Sequence, residues 1–143
     1  MKVRNLMTAQ PITISPEETV AVASRTLTHY NIGMLPVCDA SGALQGVLTD
    51  RDIVTRCLAS GRSPAVTPVR EVMTTQILSA RPDMDAAAAA GLMGRAQIRR
   101  LPVLENGRLC GMVSLGDLAR REETGMDAAD ALGEISSGLS KRV

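Results

Sequence analysis

Apolar positions along the chain change their period several times, and each change marks an element. Val20, Ala23, Leu27 and Tyr30 recur at helical spacing, the buried stripe of an amphipathic helix. Ahead of them, Ser15-Pro16-Glu17-Glu18 has the make-up of a helix start: Ser15 as N-cap, Pro16 at the first helical position and Glu18 completing a capping box. Ile12-Thr13-Ile14, just before, reads as a short extended segment. Two apolar runs follow, Leu35 to Cys38 and Leu44 to Leu48, parted by Ser41-Gly42. Further on, Leu101 to Leu104 and Leu109 to Val113 flank Asn106-Gly107, a strong hairpin signal. Helices are expected to begin near Asp50, near Gly116 and at Pro82-Asp83, the last continuing through Ala86 to Ala90. Small side chains there permit close approach, although high helix propensity alone accounts for the run. Ser60-Gly61-Arg62-Ser63-Pro64 has linker composition. In the tail, Met126, Ala129, Leu132 and Ile135 form a helical stripe expected to dock, with fraying from Ser136 onward.

These elements occur twice because the sequence does. Val3-Arg4-Asn5-Leu6-Met7-Thr8 returns as Val69-Arg70-Glu71-Val72-Met73-Thr74, an offset of 66. The same offset joins Pro16 to Pro82, Ile32 to Ile98 and Leu35-Pro36-Val37 to Leu101-Pro102-Val103. One residue is lost in the hairpin turn, and from there Gly42, Leu44, Gly46 and Asp52 match Gly107, Leu109, Gly111 and Asp117. Length change in a turn is where chains tolerate it. Each copy reads as β-α-β-β-α, so the fold class is α+β. The organisation is a first repeat at 1–60, a linker at 61–68, a second repeat at 69–121 and a helical tail at 122–143. A repeat of this size buries too little surface to stand comfortably alone. Two copies are therefore expected to pack sheet to sheet about a pseudo-twofold axis, with paired clefts at their interface.

Composition restricts what such a module can do. Of 143 residues, 45% are apolar but only 1% aromatic: no Phe, no Trp and one Tyr. Base-stacking platforms and aromatic cation cages need rings this chain lacks. A net charge of +1 offers no field for nucleic acid or anionic lipid. One histidine, His29, leaves little for His-based triads or zinc sites, and its place among helix residues suits a surface role. Cys38, Cys57 and Cys110 are far apart and form no CxxC pair. They read as reduced thiols in a cytoplasmic protein, Cys38 and Cys110 as small buried hydrophobes on strands. No metal site can be assembled from spacing. No apolar run approaches the ~20 residues of a membrane span, and no signal peptide is apparent.

Three motifs occur in order in both copies: Val-Arg-x-[Leu/Val]-Met-Thr, Leu-Pro-Val, and Gly-x-x-[Ser/Thr]-x-x-Asp. The last is Gly46-Val47-Leu48-Thr49-Asp50-Arg51-Asp52 and Gly111-Met112-Val113-Ser114-Leu115-Gly116-Asp117. Together they resemble a tandem of cystathionine-β-synthase-type (CBS) domains, the pair called a Bateman module, over roughly residues 3 to 120. The resemblance implies a stand-alone regulatory module that binds adenosyl ligands such as AMP, ADP, ATP, NAD(H) or S-adenosylmethionine. It also implies a homodimer.

Thr49 with Asp52, and Ser114 with Asp117, admit two readings. A hydroxyl followed three residues later by a carboxylate is a capping box. The same carboxylate can accept both hydroxyls of a ribose, and the hydroxyl can seat a phosphate. The resemblance implies Asp117 and Asp52 for ribose, and Thr49 and Ser114 for phosphate. For adenine it implies Thr8, Ile12, Ile32, Gly33, Met34 and Met112 in the cleft of Asp117, and Thr74, Leu78, Ile98 and Val47 in that of Asp52. Each of these also suits ordinary core. Arg99-Arg100 precedes Leu101-Pro102, where Gly33-Met34 stands in the first copy. The resemblance implies that basic residues there can reach phosphate, so the Asp117 cleft is expected to prefer phosphorylated ligands; a solvated edge strand explains them equally. Gly46 and Gly111, expected at strand starts, fit either a tight approach or clearance for a ligand.

Three function classes can be set against each other. The first is a non-catalytic ligand sensor that needs no cofactor, takes an adenine nucleotide as regulatory ligand and acts on an unidentified protein partner. The second is a protein-interaction or dimerisation module whose clefts are vestigial, favoured by Ala- and Met-rich surfaces. The third, an enzyme, has little support, because no candidate nucleophile has a base beside it in any motif.

Overall fold

The structure, a computed structural model, describes residues 1 to 140. Its helices are α1 (Val20–Tyr30), α2 (Asp50–Asp52, running on as a π-helical stretch Ile53–Leu58), α3 (Ala86–Ala96), α4 (Leu115–Ala119) and α5 (Gly125–Ser140). Its strands are β1 (Thr8–Ala9), β2 (Met34–Cys38), β3 (Leu44–Thr49), β4 (Arg100–Glu105) and β5 (Arg108–Ser114). The architecture is mixed α+β. Strands β2 and β3 form one antiparallel sheet, and β1, β5 and β4 lie side by side in another. The chain divides into two compact units, and these do not follow the sequence repeats. One comprises Ile12–Ile77 with Gly107–Leu109; the other comprises Met1–Pro11, Leu78–Asn106 and residues 110–140.

Each unit takes its opening Val-Arg segment from the other repeat. In the repeat-one unit, Val69 N–H donates to Glu18 O at 2.8 Å and Arg70 N–H to Pro16 O at 2.9 Å. In the repeat-two unit, Val3 N–H donates to Met84 O at 2.9 Å and Arg4 N–H to Pro82 O at 3.0 Å. Val69 and Val72 are buried with Val20, Ala23, Leu27, Leu35, Val37 and Leu48. Val3 and Leu6 are buried with Ala86, Ala89, Met93, Leu101, Val103 and Val113.

This exchange moves the helix starts. The expected cap at Ser15 and the start at Pro82-Asp83 are both wrong by several residues. Thr19 caps α1 through a bond from Val22 N–H, and Asp85 stands at the N-cap of α3. The carbonyls of Pro16, Glu18, Pro82 and Met84 are taken by the opening segments, so those stretches remain turns. The expected first strands shrink to single bridges, Ile14 with Val37 and Ala80 with Val103. At the second hairpin, Asn106 and Gly107 both take positive φ, 54° and 77°, as a two-residue turn between twisted strands demands.

The tail docks, but on a face turned from the expected stripe, of which Ile135 alone is buried. Ala128, Ala131 and Ile135 are buried, while Met126 is 75% and Leu132 44% exposed. Small residues face inward because α3 approaches closely: a Cβ on Gly94 would lie 3.1 Å from Ala131 Cα. Ala86, Ala89 and Ala90 are buried in the same cluster, so the alanine run serves close packing as well as helix propensity. The helix continues through Ser140, past the expected fray point at Ser136; the last three residues of the expected tail lie outside the described residues.

Candidate functional site

In the repeat-two unit the chemistry gathers where β5 runs into α4. Ser114 caps the helix by accepting from Asp117 N–H at 3.1 Å, and Asp117 Oδ2 accepts from Ser114 N–H at 2.8 Å. This reciprocal bonding fixes the carboxylate, whose side chain is only 12% exposed. Its other oxygen, Oδ1, takes a guanidinium N–H of Arg120 at 2.5 Å. Arg99 is tied to the same corner through its carbonyl, which accepts from Leu115 N–H at 3.0 Å. Arg99, Arg100, Ser114 and Arg120 line a groove of about 620 Å³ whose far wall is Ala128, Ala129 and Leu132 of α5. Thr8 pairs with Met112 in the β1–β5 register. Gly111 makes that pairing possible, since a Cβ there would meet Met7 Sδ at 2.5 Å and Thr8 O at 3.0 Å.

The repeat-one unit repeats the corner with different neighbours. Asp52 N–H donates to Thr49 Oγ1 at 3.0 Å, and Thr49 N–H to Asp52 Oδ2 at 3.0 Å. Asp52 is 8% exposed. The Thr74 hydroxyl also donates to Oδ2, at 3.3 Å. Thr74 is held there by paired backbone bonds with Val47, at 2.9 and 2.8 Å. Gly46 permits the approach: a Cβ would stand 2.6 Å from Thr74 O. Arg56 Nε lies 3.8 Å from Asp52 Oδ1, while its Nη1 donates to Val72 O and Met73 O at 3.2 and 3.1 Å. Gly33 O accepts from Asp50 N–H at 3.2 Å, and Met34 pairs with Thr49.

Both corners therefore show the capping box that the Ser/Thr-x-x-Asp spacing predicts, and the buried oxygens leave none of the described side chains unsatisfied. The model describing the CBS domain matches residues 3–59 and 69–123. The chain belongs to the CBS-domain family. It is 43% identical over 134 residues to the CBS domain-containing protein YhcV of Bacillus subtilis, covering 94% of each chain. Among solved structures it is similar to CBSX2 in complex with AMP, with a TM-score of 0.74 and 29% identity over 83% of this chain and 93% of that one. It is also similar to the CBS domain pair of MJ0100 in complex with 5′-methylthioadenosine and S-adenosyl-L-methionine, with a TM-score of 0.75 and 28% identity over 84% and 94%. Both of these similar structures hold adenosyl compounds.

Within this CBS pair the residues picked out from sequence fall into two groups. Thr8, Met112, Ser114, Asp117, Arg99 and Arg100 belong to the repeat-two unit, with Leu78 and Ile98. Thr49, Val47, Asp52 and Thr74 belong to the repeat-one unit, with Ile12, Ile32, Gly33 and Met34. Gly46 and Gly111 lie inside strands rather than at their starts, and their role is close backbone approach. Sequence reading passed over Arg120, Arg56 and the α5 wall. Arg120 sits three residues after Asp117 and Arg56 four after Asp52, a helical ion-pair spacing that could have flagged both.

Cys38 is buried, and burial, aided by the neighbouring charge of Asp39, pushes its thiol above the ordinary range. Burial raises Cys110 likewise. Among the described residues no group of three or more His, Cys, Asp or Glu could hold a metal ion, and no helix is long and apolar enough to cross a membrane.

Proposed function

We propose that this CBS pair is a cytoplasmic, homodimeric regulatory module whose ligands are adenosyl compounds: AMP, ADP and ATP first, NAD(H) and S-adenosylmethionine also. Asp117 and Asp52 take the ribose hydroxyls. Ser114 and Thr49, with Arg99 and Arg100 on the repeat-two side, take phosphate. Thr8, Ile12, Ile32, Gly33, Met34 and Met112, and Thr74, Leu78, Ile98 and Val47, supply the aliphatic and backbone contacts to adenine that replace stacked rings. The bound nucleotide acts by changing how the module engages a protein partner.

The observation that carries this reading is the repeat-two groove. It is lined by Arg99, Arg100 and Arg120, and Arg120 pairs with the fixed, nearly buried carboxylate of Asp117, a set of cations and an acceptor suited to a nucleoside phosphate. The complexes with AMP and S-adenosyl-L-methionine among similar structures support the ligand class. Thermal unfolding with each ligand tests it. A ligand at a hundredfold excess over Kd stabilises by about 2.7 kcal/mol, a shift of several degrees. Asp117→Asn retains the side chain's shape and should reduce that shift. No shift with any of the five at millimolar concentration refutes the reading.

A further inference from the structure

The two corners differ in what holds the second carboxylate oxygen, and that difference bears on selectivity. Asp117 Oδ2 is committed to the helix cap through Ser114 N–H at 2.8 Å. Oδ1, the oxygen left for a ribose hydroxyl, is held by Arg120. Arg120 is a long side chain, 73% exposed, that lines the same groove as Arg99 and Arg100. Among the described residues Arg99 and Arg100 make no ion pair, so of the three arginines that line the groove Arg120 alone is paired, with Asp117.

We propose that Arg120 is a specificity-determining residue that exchanges its partner: it leaves Asp117 Oδ1 for the ligand's phosphate when the ribose takes its place. The inference rests on the adenosyl-ligand reading above and assigns it a discrimination. A ribose hydroxyl must displace a charge-assisted bond, the strong kind. A phosphorylated nucleoside brings a replacement acceptor for the displaced guanidinium into a groove that already concentrates positive charge. An unphosphorylated nucleoside brings none, and it leaves Arg120 unpaired beside two like charges. Arg120 thus gates the Asp117 ribose seat against ligands that lack a phosphate, so of the proposed ligands S-adenosylmethionine is directed to the repeat-one corner.

The repeat-one corner lacks the device. Arg56 stands 3.8 Å from Asp52 Oδ1 and already donates to two backbone carbonyls. Its corner carries Gly33 and Met34 where the other carries Arg99 and Arg100.

The test is the dissociation constant for AMP and for adenosine, by isothermal titration, in the wild type, Arg120→Ala, Arg120→Lys and, as a control, Arg56→Ala. Far-UV circular dichroism checks that each variant is folded. The expected result is that Arg120→Ala tightens adenosine and weakens AMP, so the AMP preference falls about tenfold or more, the scale of one charge-assisted bond. Arg120→Lys should retain part of the preference, and Arg56→Ala all of it. AMP binding with an unchanged AMP-to-adenosine ratio in Arg120→Ala overturns the exchange while leaving the ligand class intact. A parallel loss of both affinities overturns it too, since that is the mark of a merely structural role. Binding of neither ligand to the wild type overturns the exchange, and only the absence of a thermal shift with all five adenosyl compounds overturns the ligand class as well.

Discussion

Replacing Gly46 with alanine tests whether the two corners are built by close backbone approach. Gly46 does not have positive φ, so alanine costs nothing in backbone conformation and the penalty is steric. The new Cβ would lie 2.6 Å from Thr74 O, a backbone atom, and 3.0 Å from Met73 Sδ. Relief requires moving Thr74 away, which stretches its two bonds with Val47. Each is worth about 1 kcal/mol, and overpacking adds about 1–3 kcal/mol. Lower entropy of the unfolded chain returns about 0.5–1 kcal/mol. The net expectation is a loss of about 2–4 kcal/mol. Gly111→Ala is the internal control. Its nearest contact at 2.5 Å is Met7 Sδ, part of a flexible side chain, and backbone lies at 3.0 Å, so its loss should be about 1 kcal/mol. Urea unfolding followed by far-UV circular dichroism suits a chain without tryptophan. With a slope of about 2 kcal/mol/M, the Gly46 variant should lose about 1–2 M of midpoint and the Gly111 variant about 0.5 M. Equal midpoints, or a larger loss at Gly111, would refute the argument that backbone contact decides the cost.

Gly94→Leu should undock α5, because even a Cβ at that position reaches Ala131 Cα and Glu134 Cδ at 3.1 Å. The expected loss is about 1–3 kcal/mol, read by hydrogen exchange as faster exchange over residues 125–140 and little change over α1. Asp39 makes a pH-dependent contribution. Bonds from Ser41 and Ala43 hold its carboxyl below the ordinary value of 3.8. A lowered folded-state pKa stabilises above the unfolded value, and that contribution is lost as pH falls through the folded one. The difference in melting temperature between wild type and Asp39→Asn should therefore hold steady from neutral pH to about 5 and shrink below about 4. A difference that persists unchanged at about pH 2 would contradict the assignment.

Hairpins and caps at α2 and α4 were legible in the sequence because their signals are local. Asn106-Gly107 can do little but turn, and Ser114 bonds a residue three positions away. The start of α1 was not legible, although Ser15-Pro16-Glu17-Glu18 carries a strong helix signal. Its carbonyls are claimed by Val69 and Arg70, more than fifty residues on, and no local reading contains that claim. The same long-range pairing explains why the repeats are visible in sequence while the compact units exchange their opening segments. The face of α5 was misjudged for a related reason. Large apolar residues suggest burial, but Gly94 sets so short a distance that alanines fit the interface and Leu132 is left on the groove wall.

The capping box and the ribose seat were alternatives on the sequence alone, and the structure lets both stand on one side chain. A cap uses one carboxylate oxygen, and in each corner that oxygen is Oδ2, bonded to the N-cap backbone N–H at 2.8 or 3.0 Å. Oδ1 contributes nothing to the cap. At Asp117 it is held by an exposed arginine, and at Asp52 by a distant arginine and a hydroxyl at 3.5 Å. A residue selected for capping alone gains nothing from burial of its second oxygen beside such partners, because a solvated carboxylate caps as well. On the proposed reading, the cap also serves the second oxygen. By spending Oδ2 on the backbone it fixes the direction of Oδ1, which would remove part of the ordering cost of binding a ribose there. Asparagine at either position separates the two roles, since its amide oxygen can still cap while its NH₂ cannot accept a ribose hydroxyl. If Asp117→Asn and Asp52→Asn keep their stability but lose ligand-dependent stabilisation, the carboxylates are binding groups held in place by their caps. If stability and ligand response fall together, capping is the larger role.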